Sequence, residues 1–131
     1  MRLLLDTNIF LEIILDQARA EEAKALLLKG DSHDLYATDF TFHSIGVLLF
    51  RKKQHQAYTC FLQDMTVNAG VKMLSLAADE MEHVIMSARK FSLDFDDAYQ
   101  YGAALVNDLA LVSFDKDFDG TERGRVEPAN L

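Results

Sequence analysis

Aspartates follow two of the apolar segments that have the character of buried strands. Asp6 comes directly after the apolar run at residues 3–5, and Asp115 comes two residues after the run at 109–113. Asp97 lies in the first turn of an amphipathic segment that leads into the second run. Because ligands collect at the carboxyl ends of parallel strands, we expect these three carboxylates to lie near one edge of a sheet.

Carboxylates that lie close together repel one another unless one is protonated or a cation joins them. A ligand set made only of oxygen atoms suits Mg²⁺ or Mn²⁺ far better than zinc. Such an ion polarises phosphate groups and lowers the pKa of water, which is useful in phosphoryl chemistry. The alternative is that each aspartate caps a helix or is simply solvated, as is common after strands and at helix starts. The spacing alone leaves both interpretations open.

The elements that would position these acids alternate between short apolar strands and longer amphipathic helices. This alternation predicts an α/β fold of three layers, with a mostly parallel central sheet flanked by helices. We predict strands at 3–5, 35–38, 71–76 and 109–113, with a last edge strand at 125–127. We predict helices at 9–15, 19–29, 41–53, 57–68 and 78–90, and one that begins near residue 96. Thr41 is the expected cap of the third helix, and Cys60 is expected on the buried face of the fourth.

Length and composition limit the class of protein. The 131 residues are enough for one ordinary domain, which we place at 1–131, and half of them are hydrophobic. A single cysteine excludes a disulfide framework. Asp6 interrupts the apolar start too early for a secretory signal, and no apolar run is long enough for a membrane span. We therefore expect a cytoplasmic protein with no membrane contact.

The net charge of −8 argues against a domain that binds nucleic acid by positive charge alone. Thirteen Lys and Arg residues stand against 21 Asp and Glu residues. A bound divalent cation reverses the local field of an acidic cluster, so a metal site would remove this objection.

The order of these motifs resembles the PIN domain, a small metal-dependent nuclease fold that includes the VapC-like toxins of toxin–antitoxin pairs. The resemblance covers nearly the whole chain. It rests on four segments: Leu-Leu-Asp-Thr-Asn-Ile at 4–9, Thr-Phe-His-Ser-Ile-Gly-Val at 41–47, the helix that opens with Asp97-Ala98, and Leu-Val-Ser-Phe-Asp-Lys-Asp-Phe at 111–118.

The resemblance implies a nuclease that hydrolyses RNA phosphodiesters with one or two Mg²⁺ or Mn²⁺ ions. By position, the family's acidic ligands correspond to Asp6, Asp97 and Asp115. The polar residues that orient them correspond to Asn8 and Ser113, with serine where the family usually has threonine. The auxiliary acid corresponds to Asp117, and Asp94 and Asp96 lie close enough to replace Asp97 if the register shifts.

One position departs from the family pattern. The middle helix normally carries a glutamate in Thr-x-x-Glu, and the aligned residue here is Ser44, a weak neutral ligand. Asp39 is a candidate replacement, although capping of the helix is the commoner role for such a residue. His43 is a second candidate, with an ordinary hydrogen-bonded histidine as the alternative. The loss of this acid does not change the expected fold, but it puts full nuclease activity in question.

Two surfaces are candidates for binding a partner molecule. On the resemblance, Arg51, Lys52 and Lys53 would bind RNA phosphates, while the alternative is a solvated helix end whose dipole favours cations. The run at 10–15 contains more apolar residues than one buried helix face requires, which indicates a covered groove or a dimer contact. The family pairs with itself and binds an antitoxin there, so we expect a homodimer and an antitoxin partner.

Three functions compete at this stage. The first is a metal-dependent endoribonuclease, the toxin of a toxin–antitoxin pair, with Asp6, Asp97 and Asp115 as ligands. The second is a degenerate PIN-like module that binds RNA or protein without cutting, motivated by Ser44. The third, a phosphotransfer domain with Asp6 as nucleophile, is weaker because the segment lacks an Asp-x-Asp form.

Overall fold

The computed structural model describes all residues from 1 to 131 and contains one four-stranded parallel sheet. The strands lie in the order β3-β2-β1-β4, and every neighbouring pair runs parallel. Their bounds are β1 Arg2–Leu5, β2 Asp34–Thr38, β3 Lys72–Leu74 and β4 Ala110–Val112. The parallel sheet predicted from the apolar runs is confirmed, with β3 and β4 shorter than expected.

Six α-helices connect and flank the strands. Their bounds are α1 Thr7–Ile14, α2 Ala20–Leu27, α3 Asp39–Arg51, α4 His55–Gln63, α5 Met81–Phe91 and α6 Phe95–Asn107. A π-helical turn at Asp64–Asn68 extends α4, and 3-10 turns occupy Ala78–Glu80, Lys116–Gly120 and Pro128–Asn130. None of the helices has both the length and the apolar character needed to cross a bilayer.

The three layers follow from the alternation of side chains along the central strand β1. Leu3 and Leu5 point into a core shared with α1 to α4, whereas Leu4 points into a second core shared with α5 and α6. All three leucines are fully buried, as expected for a parallel strand covered on both faces. The predicted three-layer α/β architecture is confirmed.

The sheet register brings three loops to one edge. Leu5 pairs with Val112, and Leu4 pairs with Tyr36, so β1, β2 and β4 all end at nearly the same level. The residues that follow these strands therefore lie side by side at the carboxyl edge. The N-terminal turn of α6 also reaches this edge, because α6 precedes β4 in the chain and runs antiparallel to it.

Two boundary predictions are wrong. The cap of α3 is Thr38, because this residue still has the extended backbone of β2 and its hydroxyl accepts from the Thr41 N–H at 3.2 Å. Thr41 is the third residue of the helix and its hydroxyl is used elsewhere. The expected edge strand at 125–127 is reduced to one parallel bridge between Val126 and Val112.

The buried face of α4 also differs from the prediction. Phe61 is buried and Ala57, Tyr58 and Leu62 pack against the same core, so the inner stripe runs through these positions. Cys60 lies outside that stripe and is exposed. The prediction of a buried thiol is therefore wrong.

Candidate functional site

A pocket of about 300 Å³ opens at the carboxyl edge of the sheet, between the N-terminal turns of α1, α3 and α6. Its lining divides into an acidic side and a neutral side. The acidic side consists of Asp6, Asp96, Asp97 and Asp115, with Asp117 next to it. The neutral side is formed by Thr7 and Gln100, with Thr38 and Thr41 packed behind them. Asn8, Leu11, Phe40 and Ser44 complete the lining.

The tightest group on the acidic side combines Asp97, Asp115 and Asp117. One carboxylate oxygen from each lies within 4.8 Å of the others, a spacing at which a single cation could contact all three. The turn after β4 brings two of them together, because the Asp115 carboxylate accepts from the Asp117 N–H at 2.9 Å. Asp6 lines the same pocket as Asp97 and Asp115 but is not part of this tightest group.

The three acids expected at one edge are thus neighbours in space. Sequence reasoning gave Asp117 only an auxiliary role, and the structure places it among the three closest carboxylates. It did not single out Asp96 as a first choice, yet Asp96 also lines the pocket. Asp94 lies outside the pocket lining, because its carboxylate caps α6 by accepting from the Asp97 N–H at 3.1 Å.

Asp6 is the most buried acid of the site, with only 6% of its surface exposed. One carboxylate oxygen accepts from the Thr7 N–H at 2.7 Å and the other from the Ser113 hydroxyl at 2.6 Å. Burial raises the pKa of Asp6 to about 6, against these two hydrogen bonds, and the charges of Asp115 and Asp96 add to the rise. A carboxylate offers about four lone-pair sites, so Asp6 keeps capacity for a further contact on the pocket side.

The pKa of Asp97 is raised further than that of Asp6, so Asp97 holds a proton more readily when no cation is bound. Burial raises the pKa of Asp97 to about 7, and the charges of Asp115, Asp94, Asp6 and Asp117 act in the same direction. Its position in the first turn of α6 favours the charged form, but by only about 0.3–1 kcal/mol. The accumulated negative charge therefore outweighs the helix dipole at this site.

Ser113 connects the acids to one another. Its hydroxyl donates to Asp6 and accepts from the Asn8 amide at 3.0 Å and from the Asp115 N–H at 2.9 Å. The Asn8 carbonyl oxygen in turn accepts from the Phe114 N–H at 3.3 Å. These contacts join the start of α1 to the end of β4 and fix where Asp6 and Asp115 lie relative to each other.

The neutral side is a fully hydrogen-bonded network around Gln100, which is 1% exposed. The Gln100 amide donates to the Thr41 hydroxyl at 2.8 Å and the Thr7 hydroxyl at 3.1 Å, and its carbonyl oxygen accepts from Thr38 at 3.2 Å. Thr7 and Thr41 also share a hydrogen bond of 2.8 Å. The network joins the starts of α1, α3 and α6 beside the acids. Sequence reasoning missed it, although a glutamine three residues after Asp97 places a polar group on the same helix face.

The middle helix contributes no acid to the pocket. Ser44, the residue aligned with the family glutamate, lines the pocket and is half-buried. Asp39 is not a replacement, because its carboxylate accepts from the Tyr99 hydroxyl at 2.7 Å and lies outside the pocket lining. Thr38 is the N-cap residue of α3, and the Asp39 carboxylate also accepts from the Phe40 N–H at 2.9 Å in the first turn. His43 is exposed and also lies outside the lining, so it is not placed as a nitrogen ligand.

The basic cluster lies apart from the acids. Arg51, Lys52 and Lys53 are exposed at the C-terminal end of α3, and none of them lines the pocket. Arg51 is seven residues after Ser44 and so lies on the same helix face, roughly 10 Å farther along the axis. No lysine or arginine lines the pocket itself.

Comparison with protein-family models gives one match, to the family described as the PIN domain, over residues 3–124. This span includes every acid of the pocket. A search of curated protein sequences finds no match.

Solved structures with the same fold include three proteins from toxin–antitoxin systems. VapC20 of Mycobacterium tuberculosis, described as a toxin that cleaves the sarcin–ricin loop, has a TM-score of 0.76 at 19% identity, over 96% of this chain and 99% of that one. VapBC2 of Rickettsia felis, bound to a promoter DNA fragment, has a TM-score of 0.76 at 13% identity, over 97% and 98%. A toxin–antitoxin complex of Klebsiella pneumoniae has a TM-score of 0.69 at 23% identity, over 95% and 96%. At these identities the likeness shows the shared fold.

Proposed function

The chain belongs to the PIN domain family, and from this premise we propose that it is a divalent-metal-dependent endoribonuclease, the toxin of a toxin–antitoxin pair. The observation that carries the proposal is the meeting of Asp97, Asp115 and Asp117 within 4.8 Å, in a pocket that Asp6 also lines. Family membership supports nuclease chemistry. The toxins and complexes among the structural neighbours support the biological role.

The donor set fits a hard divalent cation. Every candidate ligand is a carboxylate oxygen, the type that Mg²⁺ and Mn²⁺ prefer, and no cysteine or histidine lines the pocket. The raised pKa of Asp97 indicates negative charge that lacks compensation within the chain. We assign Asp97 and Asp115 as ligands, with Asp6 as the third family ligand and Asp117 as a supporting acid. A divalent cation held there supplies the positive charge that polarises a phosphate and lowers the pKa of water.

The chain's own residues fix the site for hydrolysis. Ser113 and Asn8 hold Asp6 and the Asp115 backbone in one arrangement, so the acids need little reorganisation when the site is used. In the reaction, water forms a new P–O bond, the bond from phosphorus to the ribose oxygen breaks, and the leaving oxygen takes up a proton. We assign the exposed cluster Arg51, Lys52 and Lys53 to contacts with RNA phosphates away from the acids.

An apolar groove is the surface we assign to the antitoxin. It has a volume of about 350 Å³ and lies between α1, α2 and the turn after α4. Leu28 on its rim is 86% exposed, and Ile13, Leu27 and Met65 line it. An amphipathic helix or tail that covers this groove would bury apolar surface that is otherwise exposed to water. A second copy of the chain is the other candidate occupant, and homodimerisation stays a prediction that sedimentation of the purified chain tests.

Titration of Mn²⁺ into the purified chain with single-stranded RNA tests the nuclease proposal. We expect cleavage that rises with Mn²⁺ in the natural chain and falls by at least about a hundredfold in Asp6→Asn, more than is typical for a residue that only supports a ligand. Asp16→Asn is the matched control, because Asp16 is exposed in the loop after α1 and its left-handed backbone (φ 49°) suits asparagine. Equal residual cleavage in the natural chain and Asp6→Asn would contradict the proposal and indicate a contaminating nuclease.

Ser44 favours one second candidate, a degenerate module that binds RNA or protein without cutting it. The pocket has a serine where the family has a glutamate, and neither Asp39 nor His43 takes its place. The same titration separates the two functions. RNA binding with no Mn²⁺-dependent cleavage supports the module, and cleavage that disappears in Asp6→Asn supports the nuclease.

A further inference from the structure

Phe95 is an exposed aromatic residue that directly precedes two acids of the pocket in the chain. It is the first residue of α6, followed at once by Asp96 and Asp97, and 55% of its surface is exposed. Its side chain takes no part in capping α6, which Asp94 performs. The ring therefore adds exposed apolar surface next to two acids of the pocket, and helix capping does not account for it.

The ring is held in place by other aromatic side chains. The centroid of Phe95 lies 6.1 Å from that of Phe40 and 5.9 Å from that of Tyr99, at distances typical of favourable aromatic pairs. Phe40 itself lines the acidic pocket, and Tyr99 is anchored by hydrogen bonds to Asp39 and to the Leu76 N–H. Phe95 is thus a positioned ring that packs on a residue of the acidic pocket's lining.

A groove on the far side of Phe95 continues this surface away from the acids. It has a volume of about 520 Å³, within the range of pockets that bind small organic groups. Phe95 lines it together with Met81, Ile85 and Ala88, and Arg89 is its only charged residue. Arg89 forms no ion pair in the structure, so its guanidinium is available to a phosphate.

The charge distribution around the pocket indicates which kind of ligand this surface can bind. No cation lines the acidic pocket, so an RNA strand that enters it gains no ion pair from the protein at the point where its phosphate approaches the acids. Base stacking on an aromatic ring supplies affinity without positive charge and accepts any base, because every base has a π-face. Stacking of this kind requires an unpaired base, which a duplex does not offer.

We propose that Phe95 is a stacking platform for an unpaired RNA base next to the phosphate that is cut, with the adjoining groove and Arg89 receiving the following nucleotide. The proposal rests on the proposed nuclease function and adds its mode of substrate binding. Phe40 backs the platform, and the platform makes unpaired RNA the favoured substrate over a duplex. The competing occupant, a second copy of the chain, would cover the same apolar surface.

Two substitutions at one position separate stacking from plain apolar contact. Phe95→Tyr keeps an aromatic ring, whereas Phe95→Leu keeps apolar bulk without a π-face. For cleavage of single-stranded RNA, we expect Phe95→Leu to raise KM about tenfold with kcat within about twofold, and Phe95→Tyr to stay close to the natural chain. Val67→Ala is the control for loss of exposed apolar surface, because Val67 is 64% exposed in the turn after α4 and lines neither the acidic pocket nor the groove beside Phe95.

Binding is measured separately with a short RNA that carries one 2-aminopurine, a base whose fluorescence falls on stacking, in Ca²⁺ in place of Mn²⁺. We expect quenching with the natural chain and Phe95→Tyr, little with Phe95→Leu, and weaker binding when the base is paired in a hairpin. Unchanged KM and quenching in Phe95→Leu, or an equal rise of KM in Val67→Ala, would overturn the platform. A change of sedimentation from dimer to monomer in Phe95→Leu would assign the ring to a protein interface instead.

The two proposals fail in different ways. If the natural chain cuts no RNA with Mn²⁺, the nuclease function is wrong, and the quenching experiment still decides whether Phe95 stacks on a base. If the natural chain cuts RNA and Phe95→Leu cuts it with the same KM, the platform alone is wrong.

Discussion

The acidic and neutral sides of the pocket share the starts of α1 and α6 but differ in how their polar groups are satisfied. The turn after β4 completes the acidic side, and the start of α3 completes the neutral side. On the neutral side, Gln100 and its threonine partners satisfy one another's hydrogen bonds, and no buried side-chain polar atom lacks a partner. On the acidic side, like charges gather, and the pKa values of Asp6 and Asp97 rise to about 6 and about 7. The fold thus contains a rigid polar support next to a cluster that is unfavourable without a cation.

This contrast separates residues that hold the site from residues that act in it. Removal of a member of the neutral side leaves buried partners unsatisfied and should destabilise the fold. Removal of a charge from the acidic side relieves repulsion and should stabilise the cation-free protein while it abolishes function. Opposite signs of the effect on stability are therefore the signature of the two sides.

The largest effect on stability is expected for Gln100→Leu. The substitution keeps the volume but removes three hydrogen bonds and leaves the Thr7, Thr38 and Thr41 hydroxyls to find other partners, which costs about 2–3 kcal/mol in the free energy of unfolding. Urea denaturation measures this change. The matched control Gln63→Leu, at an exposed position of α4, should shift stability by no more than about 0.5 kcal/mol. A loss of equal size in both variants would show that the network contributes nothing of its own.

Ser44→Glu tests the boundary between the two sides by adding the acid that the family carries there. We expect the affinity for Mn²⁺ to rise roughly tenfold because ligand charge increases, and the rate of RNA cleavage to rise with it. Without a cation the same variant should be less stable than the natural chain, because a fifth carboxylate joins Asp6, Asp96, Asp97 and Asp115 in the lining. Calorimetric titration and thermal unfolding measure the two effects. An unchanged affinity would show that Ser44 lies too far from the cation site for a carboxylate to reach it.

A smaller effect of the opposite sign is expected for Asp97→Asn in the absence of divalent cations. Since the pKa of Asp97 is raised from 3.8 to about 7 by folding, the folded chain keeps a proton that the unfolded chain releases. The stability of the natural chain should therefore fall as pH rises from about 4 to about 7 and then level off. Asp97→Asn removes this contribution and should be more stable at pH 8 by about 1 kcal/mol, a value discounted because the group is partly solvated.

Thermal unfolding across this pH range in EDTA checks the expectation. Asp31→Asn, at the opposite end of the sheet, is the matched control. The two variants should behave alike at about pH 3, where the Asp97 carboxyl is largely protonated in both the folded and the unfolded chain. A variant Asp97→Asn that is less stable than the natural chain at pH 8 would mean that Asp97 makes favourable contacts in the charged form.

The sequence predicted the acidic side far better than the neutral side, for a physical reason. Asp6 and Asp115 follow apolar runs, and parallel strands align their carboxyl ends, so sequence position alone brings these acids together. Gln100 and its threonines come from three elements that are distant in the chain. Their contacts depend on how α1, α3 and α6 pack, which hydrophobic periodicity does not specify.

The sequence did not predict two local features, the cap of α3 and the buried face of α4, because neighbouring residues fit each role about equally well. Thr38 and Thr41 are both reasonable caps of α3, and the strand register decided for Thr38 because it alone retains extended backbone. Cys60 and Phe61 are neighbours on α4, and a rotation of one residue determines which of them is buried. Phe95 was not singled out, because exposure of a ring at a helix start depends on the packing of its neighbours.

The proposed hydrolysis of RNA depends above all on a cation that the acidic side holds. Calorimetric titration of Mn²⁺ into the natural chain and into the triple variant Asp6→Asn, Asp97→Asn and Asp115→Asn tests this directly, with circular dichroism to verify that both are folded. We predict saturable binding to the natural chain and no measurable binding to the triple variant. Equal affinity in the two proteins would contradict the metal site and with it the proposed chemistry.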